Sequence, residues 1–493
     1  MGINELKKEL LKIAKIKSAI SLLQWDLSTY IPPKGIEWRA EVLGELSEYV
    51  FSLLTSEKLG ELINKALEEA ETEEDTALVK LTQKEYSRYR KIPKELFIEF
   101  QKERARSEKL WEEARKENNF LILQESLSKI VKMLIDITEC IGYKENRYDA
   151  LLDEHEPGFE TNKLKQIFSN AKKELLSLLE KIEPKHTNIK RVNEICEGPF
   201  PLDKQKELCL NIITNIGFDL SSGRLDTSAH PFTEIVGLKD VRITTRYDER
   251  DFSQALFATL HECGHALYDL NIPERFFGLP IGDGASSGFH ESQARFWENF
   301  IGRSFYFMVF IKPVLDEYFQ PLKSIKLEDL WRAFNIVKRS LIRVSSDEIT
   351  YNLHIILRFE LEEALINEKL LVSDLPYIWN EKMEEYFGIR PDSLKSGVLQ
   401  DIHWAAGLFG YFPSYMLGNI YAGQIYFKLK KDIQNLEEAV SKGNFKIILE
   451  WLKENIFSYG KLYEPLELIR KISGEELSSR YLVEYLKDKF LER

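Results

Sequence analysis

Apolar residues recur at helical spacing along most of the chain. In the first segment Leu6, Leu10, Ile13, Ile16 and Ile20 share one face of a helix. The same spacing continues between prolines that punctuate it. It predicts helices over residues 37–69, 74–90, 94–117, 119–143, 161–182 and 202–216.

The pattern changes between residues 217 and 248, where Ser, Gly, Asp and Thr become frequent. Residues 232–237 and 240–247 alternate β-branched and polar positions, which predicts two short strands. Helical spacing then returns. We therefore predict a mainly α fold: a large helical body with a cleft, and a small β-sheet beside the helix that follows the strands.

That helix is expected to start near Asp251 or Ser253, both good N-cap residues, and the next one near Ser286 or Ser287. The remainder again has helical spacing. Two interruptions are predicted there, a break at 388–403 and an aromatic, Gly-rich turn at 407–418.

The length of 493 residues and the hydrophobic fraction of 44% are ample for a large core. No Ser/Gly-rich or Pro-rich linker divides the chain. We therefore predict a single domain over residues 1–493. Residues 1–70 are expected to form a helical lid over the cleft, because they lie outside the region of the candidate chemistry and end in the acidic run 65–75.

The net charge of -12, with both signs interspersed and no basic stripe, excludes a typical nucleic-acid-binding protein. The four cysteines contain no CxxC pair, and the first residues lack a signal-peptide pattern, so we expect a cytoplasmic protein. Apolar runs such as 305–311 are too short to span a bilayer, so no membrane association is expected.

The candidate chemistry lies at residues 261–265, which read His-Glu-Cys-Gly-His within the predicted helix. His261 and His265 are four residues apart and therefore lie on one face, where two imidazoles can bind one zinc ion. Glu262 can then take a proton from a water molecule that the zinc activates. The motif predicts a zinc-dependent peptidase, whereas Cys263 points elsewhere and is expected to pack in the core.

A catalytic zinc site needs a third protein ligand. Glu291 lies 30 residues after His261 on the next predicted helix, at a distance that suits a helix-loop-helix return. Judged by spacing and residue type alone, His290 and Asp283 compete with it. Asp269 and Asp347 are both candidates for the carboxylate that orients a ligand imidazole.

Several further motifs follow in order along the chain: HPF at 230–232, DVRIT at 240–244, HESQ at 290–293, IRVSSD at 342–347 and GVLQDIHW at 397–404. Together with His-Glu-Cys-Gly-His, this set resembles the carboxypeptidase Taq family of zinc metallocarboxypeptidases over essentially the whole chain. Ser346, where the family has Ala, and Ala294, where it often has Ser, depart from the pattern without removing an ionisable group.

The resemblance implies that Glu291 is the third metal ligand and Glu262 the general base. It also implies a metal-dependent carboxypeptidase that releases single C-terminal residues, with broad preference, from peptides with a free C-terminus. The metal would be zinc, one ion per chain, with Co²⁺ able to substitute, and the protein would be a homodimer.

An enzyme that removes only the last residue must recognise a free carboxylate, which suits the planar fork of a buried arginine. Arg343 is the first candidate and Arg242 the second. The structural alternatives are an ion pair of Arg343 with Asp347, and one of Arg242 with Asp240 or Glu249.

The oxyanion of the tetrahedral intermediate needs a hydrogen-bond donor, for which His403, Tyr411 and Tyr415 are candidates. A role in core packing competes with catalysis for either tyrosine. His230 is expected either to contact substrate or to brace its strand. Two other functions stay open: a zinc endo- or oligopeptidase with the same metal site, and a non-catalytic helical scaffold that binds metal.

Overall fold

The structure is a computed structural model that describes residues 2–196 and 198–491. The described chain is mostly α-helical and contains one small three-stranded sheet. The helix with the His-Glu-Cys-Gly-His motif packs beside that sheet. The predicted fold class is therefore confirmed.

The helices before the sheet are α1 (Gly2–Thr29), α2 (Ile36–Leu54), α3 (Glu57–Glu69), α4 (Glu73–Lys91), α5 (Lys94–Glu117), α6 (Leu121–Ile141), α7 (Asp149–His155), α8 (Thr161–His186), α9 (Val192–Ile195) and α10 (Leu202–Ile216). Those after it are α11 (Phe252–Asn271), α12 (Ser287–Arg295), α13 (Phe305–Tyr318), α14 (Leu327–Phe334), α15 (Thr350–Ile366), α16 (Leu375–Phe387), α17 (Phe412–Asp432), α18 (Leu436–Ser441), α19 (Lys446–Asn455), α20 (Pro465–Ser473) and α21 (Arg480–Phe490).

The sheet consists of β1 (Gly223–Thr227), β2 (Thr233–Gly237) and β3 (Asp240–Thr245), in the order β1-β3-β2. The central strand β3 pairs in parallel with β1 and antiparallel with β2. Alternation in the sequence predicted β2 and β3. It missed β1, because the residues GRLDT carry one large apolar side chain and no alternation.

Three boundaries differ from the predicted ones. The segment 37–69 forms two helices rather than one, because Ser56 caps the second by accepting a hydrogen bond from the Leu59 amide at 3.2 Å. Helix α8 continues past Pro184 to His186. The predicted turn at 407–418 ends early, since α17 already begins at Phe412.

The described chain forms two compact units, each assembled from separate stretches of sequence. The first unit is drawn from residues 1–90, 190–335 and 425–476, and the second from residues 91–189, 336–424 and 477–493. The description of the chain as one domain with a lid stays a prediction.

The metal motif lies in the interior of the first unit. Helix α11 packs against β3, α10 and α12, and buried residues occur on every side of it. Its apolar side chains interlock with aromatic neighbours, as where Phe252 meets Phe200 and Phe319 at centroid distances of 4.9 Å each. Within the described part of the chain, no helix is both long and apolar enough to cross a membrane.

Candidate metal centre and associated polar clusters

Helix α11 begins where its sequence predicts. Asp251 is the N-cap and its carboxylate accepts a hydrogen bond from the Ser253 amide at 3.0 Å. One helical turn separates His261 from His265, so their imidazole rings are neighbours at a centroid distance of 5.0 Å. The local sequence alone therefore places both imidazoles on one face.

Helix α12 supplies the third group of the cluster. Ser286 caps it by accepting a hydrogen bond from the Phe289 amide at 3.0 Å. The helix comes very close to α11 at Gly264, where a Cβ atom would lie only 2.5 Å from the carbonyl oxygen of Gln293. This close approach brings Glu291 opposite the two histidines.

Three ligand-type atoms converge between these helices. Glu291 Oε2 lies 3.7 Å from His261 Nε2 and 3.6 Å from His265 Nε2. Bonds of about 2.0–2.2 Å to a tetrahedral metal hold such atoms roughly 3.3–3.6 Å apart, so the donor set fits a divalent ion with little adjustment. Among the His, Cys, Asp and Glu side chains that the structure describes, His261, His265 and Glu291 are the three whose ligand atoms lie close enough together to bind one metal ion.

The two competing candidates for the third position lie outside this group. His290 turns its Nδ1 to His265 Nδ1 at 2.6 Å and its Nε2 to Asp269 at 2.9 Å, so it stands behind His265. Burial and the neighbouring imidazoles of His290 and His261 hold the pKa of His265 well below its usual value. The neutral ring is the form that binds a metal. Asp283 does not join the cluster.

A carboxylate that the sequence analysis missed lies behind His261. Glu298 Oε2 is 2.9 Å from His261 Nδ1, the geometry that orients a metal-binding imidazole. Burial alone would raise the pKa of Glu298, but the charge of Arg295, the His261 hydrogen bond and the charge of Arg303 hold it well below its usual range. A partial signal was its position seven residues after Glu291, where a continuous α-helix would place it on the same face. Asp269 contacts the other ligand through His290, whereas Asp347 accepts hydrogen bonds from the amide and hydroxyl of Thr350 at the start of α15.

Glu262 is buried and faces the sheet. Its Oε2 accepts a hydrogen bond of 2.6 Å from the hydroxyl of Thr233, at the start of β2, and its carbonyl accepts one of 3.1 Å from the same hydroxyl. Burial is the main cause that raises the pKa of Glu262. A carboxyl group with a raised pKa and a fixed orientation is suited to both taking and returning a proton. Cys263 is fully buried, as expected of a packing residue.

The second unit contains a cluster of two arginines around one carboxylate. Arg343 donates from Nε and Nη2 to Asp401 Oδ1 at 3.0 and 2.7 Å, and Arg358 donates from Nε to Oδ2 at 2.7 Å. Burial raises the pKa of Asp401, yet the two guanidinium groups hold it well below its usual range. The partner of Arg343 is therefore Asp401 and not Asp347, and the cluster carries one more positive than negative charge.

His403 and Tyr415 lie in the same unit and share a hydrogen bond of 3.1 Å between Nε2 and the hydroxyl. Burial lowers the pKa of His403 to about 4, so its ring is neutral near pH 7. Tyr411 packs edge-on against Tyr415 and His155, at centroid distances of 5.2 and 5.0 Å. The structure therefore groups the three candidate donors in one aromatic cluster.

The remaining candidates belong to the first unit. Arg242 donates two hydrogen bonds of 2.9 Å to Asp240 and lies 4.4 Å from the ring centroid of Trp25, so the structural alternative describes its position well. Arg224 lies 5.2 Å from the same ring. His230 is exposed in the turn between β1 and β2.

The chain is similar to known proteins over nearly its whole length. The sequence model of the carboxypeptidase Taq (M32) metallopeptidases matches residues 5–490. Carboxypeptidase 1 of Bacillus subtilis is 40% identical over 497 residues, with 99% of both chains covered. Thermostable carboxypeptidase 1 of Thermus thermophilus is 38% identical over 491 residues, with 97% of this chain and 96% of the relative covered. A solved structure of Pyrococcus furiosus carboxypeptidase is 39% identical, covers 100% of this chain and 99% of its own, and superposes with a TM-score of 0.96. The expectation of a metal-dependent carboxypeptidase is thereby confirmed, and the chain belongs to the carboxypeptidase Taq (M32) family of metallopeptidases.

Proposed function

We propose that His261 Nε2, His265 Nε2 and Glu291 Oε2 bind one zinc ion per chain, and that Co²⁺ can take its place. The single observation that carries this proposal is the convergence of the three atoms, with separations of 3.6 and 3.7 Å around Glu291. Two imidazoles and one carboxylate are a typical ligand set of catalytic zinc, which leaves a coordination position open.

Glu262 acts as the general base and acid. The metal, when bound, supplies a Lewis acid that activates a water molecule and polarises the scissile carbonyl. Glu262 takes the proton of the attacking water and returns it to the leaving amine. The hydroxyl of Thr233 keeps the carboxylate oriented during both transfers, since it donates to Oε2 at 2.6 Å.

Arg343 binds the free carboxylate of the peptide. The charge of the buried cluster around Arg343 supports this role. Arg343 and Arg358 share the single carboxylate of Asp401, which leaves one positive charge uncompensated. A buried excess of positive charge favours an anionic ligand over a neutral one. This favours release of single C-terminal residues over cleavage within a peptide, which needs no carboxylate.

His403 and Tyr415 supply hydrogen-bond donors to the oxyanion, with Tyr411 packed beside them. The neutral imidazole of His403, hydrogen-bonded to the phenol of Tyr415, offers a donor that adds no positive charge to that of the metal. Arg242 lies on β3 and His230 in the turn between β1 and β2, in the sheet that Glu262 faces. Both contribute to substrate binding, with Arg242 held in place by Asp240. Side-chain preference at the last residue is broad.

Mass spectrometry of peptide digests tests this assignment. A peptide with a free C-terminus and the same peptide with a C-terminal amide are incubated with the metal-loaded enzyme. The wild type is expected to shorten the free acid one residue at a time and to spare the amide. Glu262→Gln should retain the metal and lose roughly 10²–10⁴-fold in rate. Unchanged turnover in this variant would remove the proposed base.

Arg343→Gln separates carboxylate recognition from folding. Asp401 keeps Arg358 as its partner in this variant, so no buried charge is left unpaired. The preference for the free acid should fall roughly 10- to 100-fold, the size expected for one charged hydrogen bond. Arg250→Gln, at an exposed arginine paired with Asp248, is the control and should keep the preference. A preference that survives in Arg343→Gln would exclude the role of this arginine.

We further propose a homodimer in the cytoplasm. The homodimer rests on the family resemblance. The cytoplasmic location is supported by the free thiols of Cys140, Cys196, Cys209 and Cys263.

A further inference from the structure

The carboxylate of Glu291 is held from two opposite sides. Its Oε2 faces the two histidine Nε2 atoms, whereas its Oε1 accepts a hydrogen bond of 2.7 Å from Arg295 Nε. The guanidinium uses one lone pair of Oε1 and offsets part of its negative charge, so Oε1 is a weaker ligand for a metal ion than Oε2. This arrangement favours Glu291 as a ligand through one oxygen rather than two.

Arg295 contacts a second carboxylate with another nitrogen of the same planar group. Its Nη1 donates to Glu298 Oε2 at 3.2 Å, and this oxygen is also the partner of His261 Nδ1. A continuous path thus runs from Glu291 through Arg295 and Glu298 to His261. One side chain connects two of the three candidate ligands on the side away from the metal position.

The local backbone explains how one arginine reaches both acids. Arg295 is the last residue of α12 and lies one turn after Glu291. A π-helical segment, Phe296–Gly302, follows directly and carries Glu298. Wider turns of this kind occur often at functional sites, where they redirect side chains. The side chains of Arg295, Glu291 and Glu298 are 14%, 7% and 13% exposed, so water competes little for these contacts.

We propose that Arg295 is a positioning residue that keeps Glu291 a single-oxygen ligand and couples its orientation to that of His261 through Glu298. The planar guanidinium matters, because its Nε and Nη1 hydrogens point to the two carboxylates at fixed angles. This inference rests on the proposed metal site and goes beyond it, since it assigns what determines the coordination mode of the metal.

The test uses Co²⁺ alone as the probe in the full-length protein. Four-coordinate Co²⁺ absorbs visible light more strongly than five- or six-coordinate Co²⁺, so the spectrum reports the coordination number, which a second oxygen from Glu291 would raise. The decisive variant is Arg295→Lys, because it keeps the positive charge and removes the planar fork. We expect its Co²⁺ absorption to weaken and its metal affinity, measured by competition with a chelator, to fall roughly 10- to 100-fold. Arg295→Gln should show the same spectral change.

Arg303→Gln is the matched control. Arg303 also reaches Glu298, at 3.4 Å, but its other hydrogen bond goes to the Phe334 carbonyl and not to Glu291. Its Co²⁺ spectrum should match that of the wild type. A wild-type spectrum and affinity in Arg295→Lys would overturn the proposal.

Glu291→Gln distinguishes failure of this inference from failure of the metal site. If Glu291 is a ligand and Arg295 has no positioning role, Glu291→Gln weakens Co²⁺ binding and Arg295→Lys leaves it unchanged. If the metal site itself is wrong, neither variant changes Co²⁺ binding. Thermal unfolding of each variant without metal shows whether the variant is folded, so that loss of the Co²⁺ spectrum can be told apart from unfolding.

Discussion

At the scale of single residues, the protonation of a buried carboxylate depends on the kind of donor around it. Glu298 and Asp401 both contact arginines, and the charges of these arginines hold their pKa values below the usual range despite burial. Glu362 is fully buried but accepts from neutral donors, namely the Tyr148 hydroxyl, the Trp404 indole and the Gly410 amide. Burial therefore dominates and raises its pKa to about 7.

This difference predicts a pH-dependent stability at Glu362. Because the folded pKa of about 7 exceeds the ordinary value of 4.5, folding favours the protonated form. The stabilising effect of protonated Glu362 is complete at a pH below the ordinary pKa of 4.5 and is lost as the pH rises through 7. Relative to Glu362→Gln, the wild type should lose roughly 2–3 kcal/mol of unfolding free energy between pH 5 and pH 8. Urea denaturation of both proteins at the two pH values measures this change.

Glu360→Gln provides the control on the same helix. Burial raises the pKa of Glu360, but the hydrogen bonds with Lys382 and Tyr386 and the lysine charges lower it overall. The stabilising effect of ionised Glu360 is therefore present at a pH above its ordinary pKa and is lost only in more acidic solution. The difference between wild type and Glu360→Gln should not change between pH 5 and pH 8. Equal pH dependence in both variants would contradict the assignment to Glu362.

At the scale of elements, the metal site depends on how closely two helices approach. Gly264 lies inside α11, where glycine weakens a helix, yet a Cβ atom here would lie 2.7 Å from the Cα of Ala294 on α12. The close approach of α12 therefore explains why position 264 is a glycine, whereas the stability of α11 itself does not. The sequence predicted both helices and their caps, but this spacing follows from their packing.

Gly264→Ala should separate the two helices. The added methyl group meets backbone atoms that cannot move independently, so we expect a loss of about 1–3 kcal/mol in unfolding free energy. Zinc affinity should fall as well, because Glu291 moves away from His261 and His265. Gly44→Ala is the control, since Gly44 lies in α2 with nothing within 4 Å of the added Cβ. It should stabilise the protein by about 0.5–1 kcal/mol and leave zinc affinity unchanged. Equal zinc affinity in both variants would argue against the packing explanation.

At the scale of the whole molecule, the first 70 residues divide into an anchored and an exposed part. Helix α1 and the residue after it are held to the sheet of their own unit, since the Ser18 hydroxyl on α1 donates to the Val236 carbonyl and the hydroxyl of Tyr30, just past its end, donates to Asp226 at 2.8 Å. Helix α2 buries only residues near its end, Val50, Phe51 and Leu54. Trp38 on α2 is 72% exposed.

If residues 1–70 act as a lid, the moving part is expected to be α2. Amide hydrogen exchange should be fast over residues 36–49, slow in α11 and intermediate in α1, because exposed helices with few buried contacts open locally. Binding of a short peptide to the metal-loaded Glu262→Gln variant should slow exchange in α2 and leave α10 unchanged. Protection of α2 equal to that of α11, with and without peptide, would contradict the lid.

The sequence by itself determined whatever depends on neighbours along one helix or strand. The spacing of His261 and His265, the caps at Asp251 and Ser286, and the alternation of two strands follow from local geometry and are visible as periodicity. The family motifs added Glu291 as the expected third ligand, by resemblance. Strand β1 has no such local signal, since it is defined by its pairing with β3.

Only the tertiary structure decided which buried charges meet. Glu298 lies 37 residues from His261, and Asp401 lies 58 residues from Arg343, so no local pattern pairs them. The sequence suggested Asp347 for Arg343, because an acid one turn away is the nearest choice. A buried guanidinium instead pairs with the acid that shares its low-dielectric surroundings, and the packing of distant segments determines which acid that is.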